Sequence, residues 1–450
     1  MTTKKNEVET KKEELIALTQ MVLAEAKKQG ATSAEVGISR GDGLSVDVRM
    51  ADIDKLEYYR DQGVGLTVYF DNAQGAASTG DLSEAAIRDA VKAACNIAKY
   101  TSEDDCLGLA DAELMATEFP DLDLYHPWDL NAEQAIETAI NCENAAREYD
   151  ARISNSDGAS VSTYSGLNAY ANSHGFAAVR ASSSHSLSCS VIANEANGEG
   201  MQRDHWYSST RVADRLASAE SVGRKAAEET LKRLDARKLS SREAPIMYIP
   251  QLAAGLLSHY KSAIGGGSLY RKASFLVDSL DTKVFPEFMH LEEQPFILQG
   301  SRSAAYDGEG VATKERDIVK DGIVQTYLLG SYSARKMGLQ TTGHASGVHN
   351  LTAHSTGQSY EEMLSLMDTG LLLTGLIGSG INGITGDYSR GATGFWVEGG
   401  VIQYPVEEIT IAGNLKEMFA NIVAVGNDWD DRISTRTGSI LVEKMMISGE

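Results

Sequence analysis

The chain has 450 residues, of which 42% are hydrophobic and 23% charged, and this composition is typical of a soluble globular protein of two or three domains. Its formal net charge of -22 at pH 7 opposes binding to nucleic-acid phosphates, and its apolar stretches fall short of the roughly 18 residues that cross a bilayer. The N-terminal segment has no apolar signal core, and the four cysteines lie too far apart for a local metal motif, so we expect a cytoplasmic protein with reduced thiols that binds neither nucleic acid nor membranes.

The first predicted unit covers residues 1–105 and combines helices with short strands. Apolar residues at helical spacing predict a helix over residues 10–29. Alternating stretches separated by turn residues, such as the GDG at 41–43, predict four strands in the next forty residues. Asp81 with Glu84 predicts the capping box of a second helix.

The second predicted unit covers residues 106–238. Asn131 with Gln134 predicts the capped start of a helix. Alternation of small polar and apolar residues over 151–210 predicts long strands with one solvated face. A helix is predicted over 213–234, and the polar, proline-ended segment after it marks the main domain boundary.

The third predicted unit covers residues 239–450 and is rich in strands. Asp-Gly at 321–322 and Gly-Gly at 399–400 predict tight hairpin turns. The apolar stretch 370–381 predicts a buried strand, and the glycine-bounded segment 413–428 predicts a helix. The predicted fold class is therefore α+β, with an N-terminal α/β unit, a middle region of long strands and helices, and a β-rich C-terminal domain with antiparallel hairpins.

A proline-led stretch, PQLAAGLLSHYK at 250–261, predicts a helix with a single histidine, His259. A zinc hydrolase helix needs two ligands one turn apart and a carboxylate that takes the proton from water. The residues four positions away are Gly255 and Ala263, and no Asp or Glu occurs between 246 and 277. We therefore interpret His259 as a partly buried, hydrogen-bonded histidine.

Three histidines follow at intervals of five, His344, His349 and His354. This spacing puts neighbours on opposite faces of a strand, or about 140° apart on a helix. Only an irregular loop would bring them together, and the nearby glycines permit one. A metal site and a contact of His344 or His349 with a substrate or partner both remain open.

Two short motifs are weaker signals. In AIGGGSLYRK the glycines follow a helix, which predicts a helix end and a flexible loop from which Tyr270 and Arg271 face a cleft. Ser333 and Lys336 match the S-x-x-K pattern of serine acyl enzymes, but four residues match often by chance. We interpret this motif as a turn of helix.

The segment GITGDYSRGATGFWVEGG at 383–400 contains Tyr388, Arg390 and Phe395. Glycines in strands often mark sites where another backbone approaches closely. An extended peptide can be held by addition to a sheet edge, so the segment is either part of a peptide groove or a structural turn.

Four segments, in order, resemble one family. They are EVGISRGDGLSVDVRMADIDKLEYYRDQGVGLTVY, DLDLYHPWDL, NSHGF and TGDYSRGATGFWVEGGVIQYPVEEITIAGNLKEMFANIVAVGND. They are similar to the TldD/PmbA family, closest to its PmbA (TldE) branch, and the resemblance covers the chain from about residue 10 to its end.

The resemblance implies a cytoplasmic metallopeptidase that acts on unfolded or small peptides, although an older label describes such proteins as modulators of DNA gyrase. It also implies a heterodimer of two paralogues, or a homodimer where the paralogue is absent. The TldD-type partner carries zinc on an H-E-x-x-x-H helix, with a cysteine near its C-terminus as the third ligand.

This chain departs from that zinc pattern. Gln251 and Leu256 stand where the two histidines would be, Leu252 replaces the glutamate, and no cysteine follows Cys189. The resemblance therefore implies the non-zinc subunit, with no catalytic or metal-binding residue of its own and zinc on the TldD-type partner. A stand-alone peptide-binding or protein-binding modulator is the alternative. The candidate residues for a substrate groove are Tyr270, Arg271, His344, His349, Tyr388, Arg390 and Phe395.

Overall fold

A computed structural model describes residues 2–195 and 200–449. Within these residues the first sheet has six strands in the order β3-β2-β1-β4-β5-β6, and its neighbouring strands are antiparallel. The strands are β1 Ser33–Arg49, β2 Asp52–Phe70, β3 Ala73–Thr79, β4 Ile153–Asn172, β5 Ala177–Asn194 and β6 Met201–Thr210. The sheet takes strands from both of the first two predicted units, whose boundaries stay predictions.

β1 and β2 are two long strands where the sequence predicts four short ones. A Cβ on Gly41 would lie 2.3 Å from the hydroxyl oxygen of Tyr164, and one on Gly43 would lie 2.4 Å from the ring of Tyr59. These two tyrosine rings are stacked with centroids 6.3 Å apart. The glycines therefore make room for rings that cross the strand, and the turn predicted there is wrong.

Four helices cover one face of this sheet in the described residues: α1 Thr2–Lys28, α2 Glu84–Ala98, α3 Ala132–Arg147 and α4 Ala219–Lys232. Val36 and Ile38 of β1 pack in a core with α1 and α2. Leu44 and Val46 pack in a second core with α3 and α4. Because alternate residues of a strand share a face, both cores lie on the same side of the sheet.

Two predicted helix starts are wrong. The cap of α2 is Ser83, whose side chain accepts a hydrogen bond from a backbone N–H in the first turn, so Asp81 and Glu84 do not form the predicted box. The helix predicted from residue 213 begins at Ala219, because Ser218 caps it and a separate short turn precedes it. A side-chain oxygen at the cap fixes each start.

Two further sheets are described in the C-terminal region, in the orders β10-β9-β8-β11 and β14-β13-β12-β7-β16-β15. Only β7 and β12 pair in parallel among these strands of the described residues. The strands are β7 Arg242–Tyr248, β8 Leu291–Glu293, β9 Arg316–Lys320, β10 Ile323–Val324, β11 Leu351–Ala353, β12 Gly370–Ile381, β13 Asp387–Glu398, β14 Val401–Asn414, β15 Ile422–Val425 and β16 Ile440–Ser448. The α+β prediction is confirmed.

The C-terminal helices are short apart from the first. They are α5 Pro250–Ala263, α6 Gly266–Tyr270, α7 Ser331–Lys336, α8 Tyr360–Met367 and α9 Leu415–Ala420. The helix predicted over 413–428 ends at Ala420, because Ile422 begins a strand that pairs with β16. The predicted buried strand 370–381 is β12, whose first four residues are buried and whose second half is largely exposed. No helix in the described part of the chain is long and apolar enough to cross a membrane.

Candidate functional site

Helix α5 separates the C-terminal core from an open cleft. Pro250 begins the helix, where its missing N–H leaves no hydrogen bond unmade. Leu257 and Tyr260 are fully buried in the core. Ser258 and Lys261 lie on the other side and line a cleft of about 730 Å³, a volume typical of small-ligand sites.

The glycines after α5 bring two helices together at the wall of the cleft. Gly265 precedes α6, so the predicted flexible loop is instead a short helix. A Cβ on Gly266 would lie 2.1 Å from the Oγ of Ser333 on α7, which explains the absence of a side chain there. Tyr270 of α6 and Tyr332 of α7 pack edge to face at the cleft, with ring centroids 5.7 Å apart.

The charged groups that line the cleft are Lys261, Arg302 and Glu309, among the described residues. Lys261 Nζ donates to the hydroxyl of Thr435 at 2.8 Å. Burial, together with the nearby charge of Arg302, lowers the pKa of Lys261. Burial raises the pKa of Glu309, and its Oε2 accepts hydrogen bonds from the backbone N–H and hydroxyl of Ser331. These groups are suited to binding a polar ligand.

A buried carboxylate, Glu293, fixes the loop that forms one wall of the cleft. It accepts hydrogen bonds from His344 Nε2 at 2.9 Å and from the ring Nδ1 and backbone N–H of His349, each at 2.9 Å. The Nε of Arg316 lies 3.1 Å from the carboxylate, at an angle too bent for a hydrogen bond, so this pair acts through charge. Burial alone would raise the pKa of Glu293, but the histidines outweigh it and bring the pKa to about 2.

His344 is a neutral wall residue of the cleft. Burial lowers its pKa despite the opposing effect of Glu293. Since Nε2 donates to Glu293, Nδ1 accepts a hydrogen bond from the hydroxyl of Thr342 at 2.8 Å. Both nitrogens are thus occupied, and the ring is held in one tautomer.

The third histidine lies apart from the other two. His354 donates to Glu292 at 3.0 Å and stacks on His290 with centroids 4.2 Å apart. His344 and His349 instead converge on Glu293, so the loop does not bring the three histidines to one point. No group of three or more His, Cys, Asp or Glu side chains suited to a metal ion occurs in residues 2–195 and 200–449.

The candidate groove residues fall in different places. Tyr270 and His344 both line the cleft. Arg271 is exposed, with its guanidinium 5.3 Å from the ring centroid of Tyr270. His349 is buried behind the wall of the cleft, against Glu293.

A second cluster lies on β13, outside the cleft. Tyr388 is buried and packs edge to face on the partly buried His259, with centroids 6.0 Å apart. Burial and the charge of Arg390 lower the pKa of His259. The Nε of Arg390 is buried without a hydrogen-bond partner among the described residues. Phe395 packs farther along β13 in a small hydrophobic cluster. A role of these residues in a peptide groove stays a prediction.

The positions where the resemblance would put zinc ligands are filled by structural contacts. Gln251 Nε2 donates to the carboxylate of Asp430 at 2.6 Å. Leu256 is only 2% exposed and Leu252 packs on the same core. An amide already bound to a carboxylate and two core leucines supply no zinc donor set, so α5 does not fit the metal.

Sequence reasoning missed several groups of the cleft. Lys261 is the last residue of the predicted helix segment 250–261, but nothing nearby in the sequence reveals that it faces a cavity. Arg302, Glu309 and Glu293 come from separate loops and strands, and only the tertiary fold brings them to α5 and the histidine loop. His344 and His349 pair with Glu293 and His354 pairs with Glu292, and the spacing of the histidines did not predict these partners.

Comparison with known proteins shows which family the chain belongs to. The chain matches the family models described as PmbA/TldA metallopeptidase domain 1 over residues 34–98, central domain over 125–234 and C-terminal domain over 241–449. It is 49% identical to Metalloprotease PmbA of Escherichia coli O157:H7, over 96% of this chain and 95% of that protein. It is 48% identical to the Metalloprotease PmbA homolog of Haemophilus influenzae, over 94% of each chain.

Solved structures show the same fold. A candidate modulator of DNA gyrase from Bacteroides thetaiotaomicron is 30% identical with a TM-score of 0.91, over 96% of this chain and 98% of that one. TldE from Thermococcus kodakarensis is 18% identical with a TM-score of 0.83, over 96% of this chain and 100% of that one, and this likeness concerns the fold alone. The family resemblance read from sequence motifs is confirmed, and the chain belongs to the PmbA/TldD metallopeptidase family.

Proposed function

We propose that this chain is the PmbA (TldE)-type subunit of a heterodimeric zinc metallopeptidase that degrades or processes unfolded and small peptides in the cytoplasm. Its partner is a TldD-type paralogue, which carries the zinc and the catalytic base. In the absence of that paralogue the chain forms a homodimer.

The main observation behind the proposal is that α5 has no side chain available to bind a metal at the positions of the two zinc-binding histidines. Gln251 is bound to Asp430 and Leu256 is packed in the core, so neither side chain is available to a metal. The helix nevertheless borders an open cleft with polar walls. The chain belongs to a metallopeptidase family, yet its helix α5 offers no metal ligands at these positions. These two facts support a complex in which one chain binds the metal and the other binds the peptide.

The contribution of this chain is the binding of substrate. Tyr270 and Tyr332 form an aromatic wall, and Lys261 and Arg302 supply donors to polar groups of a peptide. The hydrogen bonds of Glu293 fix the histidine loop, so the cleft keeps its shape before substrate arrives.

The test is peptide hydrolysis and zinc content in three samples: this chain, its TldD-type paralogue, and the two mixed. We expect hydrolysis only in the mixture, with zinc on the paralogue. A mixture in which the glutamate of the paralogue's H-E-x-x-x-H motif is changed to Gln is the control and should be inactive. Stoichiometric zinc and hydrolysis by this chain alone would contradict the proposal. Peptide binding without hydrolysis in any sample would favour the stand-alone modulator.

A further inference from the structure

Within residues 2–195 and 200–449, two cations in the cleft beside α5 have no acidic partner. Among the described residues, Lys261 makes its side-chain hydrogen bond to the hydroxyl of Thr435, at 2.8 Å. Arg302 Nη2 donates to the backbone carbonyl of Ser346 at 2.6 Å. In the described residues these two acceptors are neutral, although the formal net charge of the chain is -22. With acids so abundant, two neighbouring cations without an ion pair indicate a site for an anion that comes from outside.

Partial burial makes the unpaired charge of Lys261 unfavourable in the absence of a ligand. Lys261 is partly buried on α5, and its pKa is lowered by burial and by the charge of Arg302. An anion between the two side chains would offset the cost of burial and the repulsion between the two charges, because it is negatively charged and accepts hydrogen bonds from their remaining N–H groups. Ser258 and Ser262 of α5 add hydroxyl groups to the same wall.

The chemistry of the cleft favours a carboxylate over a phosphate. Glu309 also lines the cleft, and a dianion near this carboxylate would be repelled more strongly than a monoanion. Two cations and one acid balance a single negative charge. The aromatic pair Tyr270 and Tyr332 offers an apolar surface for the side chain that accompanies such a carboxylate.

We propose that Lys261 and Arg302 bind the C-terminal carboxylate of a peptide in the cleft beside α5. That the ligand is a peptide rests on the function proposed above, whereas the anion site rests on the two side chains themselves. The site makes this subunit the one that recognises the free end of a short peptide.

The experiment measures binding to the purified chain by calorimetry. The probes are two short peptides of one sequence without Asp or Glu, one with a free C-terminal carboxylate and one with a C-terminal amide. Charge-assisted hydrogen bonds predict that the free acid binds about tenfold to a hundredfold more tightly. Lys261→Met and Arg302→Gln should each bring the free acid close to the affinity of the amide. Lys92→Gln, the same loss of charge at an exposed position on α2, should keep the discrimination.

Three outcomes overturn the proposal: equal binding of the two peptides, full discrimination in both variants, or displacement of peptide by inorganic phosphate more readily than by acetate. Arg302 is exposed, so Arg302→Gln decides the test if Lys261→Met fails to fold. Hydrolysis by the mixture with the paralogue separates this inference from the proposed function. Hydrolysis without acid-against-amide discrimination refutes the carboxylate site alone. Discrimination without hydrolysis in any mixture refutes the subunit function alone.

Discussion

Glu293 should be a major contributor to the stability of the C-terminal region, and Glu293→Gln tests this. The carboxylate is 1% exposed and accepts three hydrogen bonds from His344 and His349. The amide of glutamine has nearly the same shape, but it carries no charge and turns an NH₂ group towards one set of donors. The guanidinium of Arg316 also loses its counter-charge.

The magnitude follows from the pKa of the carboxylate. Its pKa is about 2 in the folded protein, where hydrogen bonds from the histidines outweigh burial, against an ordinary value of 4.5. At about 1.4 kcal/mol for each pH unit, the ionised Glu293 contributes about 3 kcal/mol to the free energy of unfolding at pH 7. Because the folded pKa is depressed, this contribution is complete above the unfolded pKa of 4.5 and is lost as the pH falls towards 2. At pH 3 less than about half remains.

The assay is equilibrium unfolding of wild type and Glu293→Gln in guanidinium chloride at pH 7 and pH 3. We expect a loss of about 3 kcal/mol at pH 7 and a clearly smaller loss at pH 3. Glu292→Gln is the matched control, because the pair of Glu292 with His354 is partly exposed and should be worth less than about 1 kcal/mol. A cost for Glu293→Gln below about 1 kcal/mol at pH 7, or an equal cost at both pH values, would refute the reasoning.

Substitutions at four other positions test the packing and the caps. Gly223→Ala should cost about 1–3 kcal/mol, because its Cβ would lie 2.0 Å from the backbone oxygen of Cys142. Gly255→Ala, in open space on α5, should stabilise the protein by about 0.5–1 kcal/mol. The melting temperatures of the two variants should therefore shift in opposite directions. Leu256→His should destabilise by about 3 kcal/mol and add no zinc, as a melt and a metal assay would reveal. Asn131→Ala removes the capping box of α3 and should cost about 1 kcal/mol in chemical unfolding, while Asn131→Ser should restore most of it.

Several local signals in the sequence predicted local structure correctly, although the box at Asp81 and Glu84 did not form. The capping box predicted at Asn131 is formed. Both residues of the Asp-Gly turn at 321–322 have positive φ, 53° and 74°, and so do both residues of the Gly-Gly turn at 399–400, 57° and 73°. In each case, the hydrogen bond or the backbone conformation depends on residues within four positions, which the sequence displays directly.

Other errors arose where distant side chains override a local preference. Gly41 and Gly43 indicate a turn when read alone, but the rings of Tyr59 and Tyr164 keep them inside a strand. The same limit applies to the cleft. Glu293 lies 51 residues before His344 along the chain, so no spacing rule connects the histidine with its carboxylate.

Helix α5 lacks a set of metal ligands not only because the side chains at the zinc-ligand positions differ, but also because of how these positions are packed in the protein. Leu256 shares the core with Leu257 and Tyr260, so a histidine at its position would put a polar ring among packed apolar groups. Gln251 is held by Asp430, which also pairs with Arg432, so a ligand at this position would compete with an existing ion pair. One substitution therefore cannot restore a metal helix, and the contacts that prevent it also fix the surface of α5 that faces the cleft. Binding of a peptide by Lys261 and Arg302 is compatible with this rigid helix, because their charged groups reach the cleft without disturbing the core.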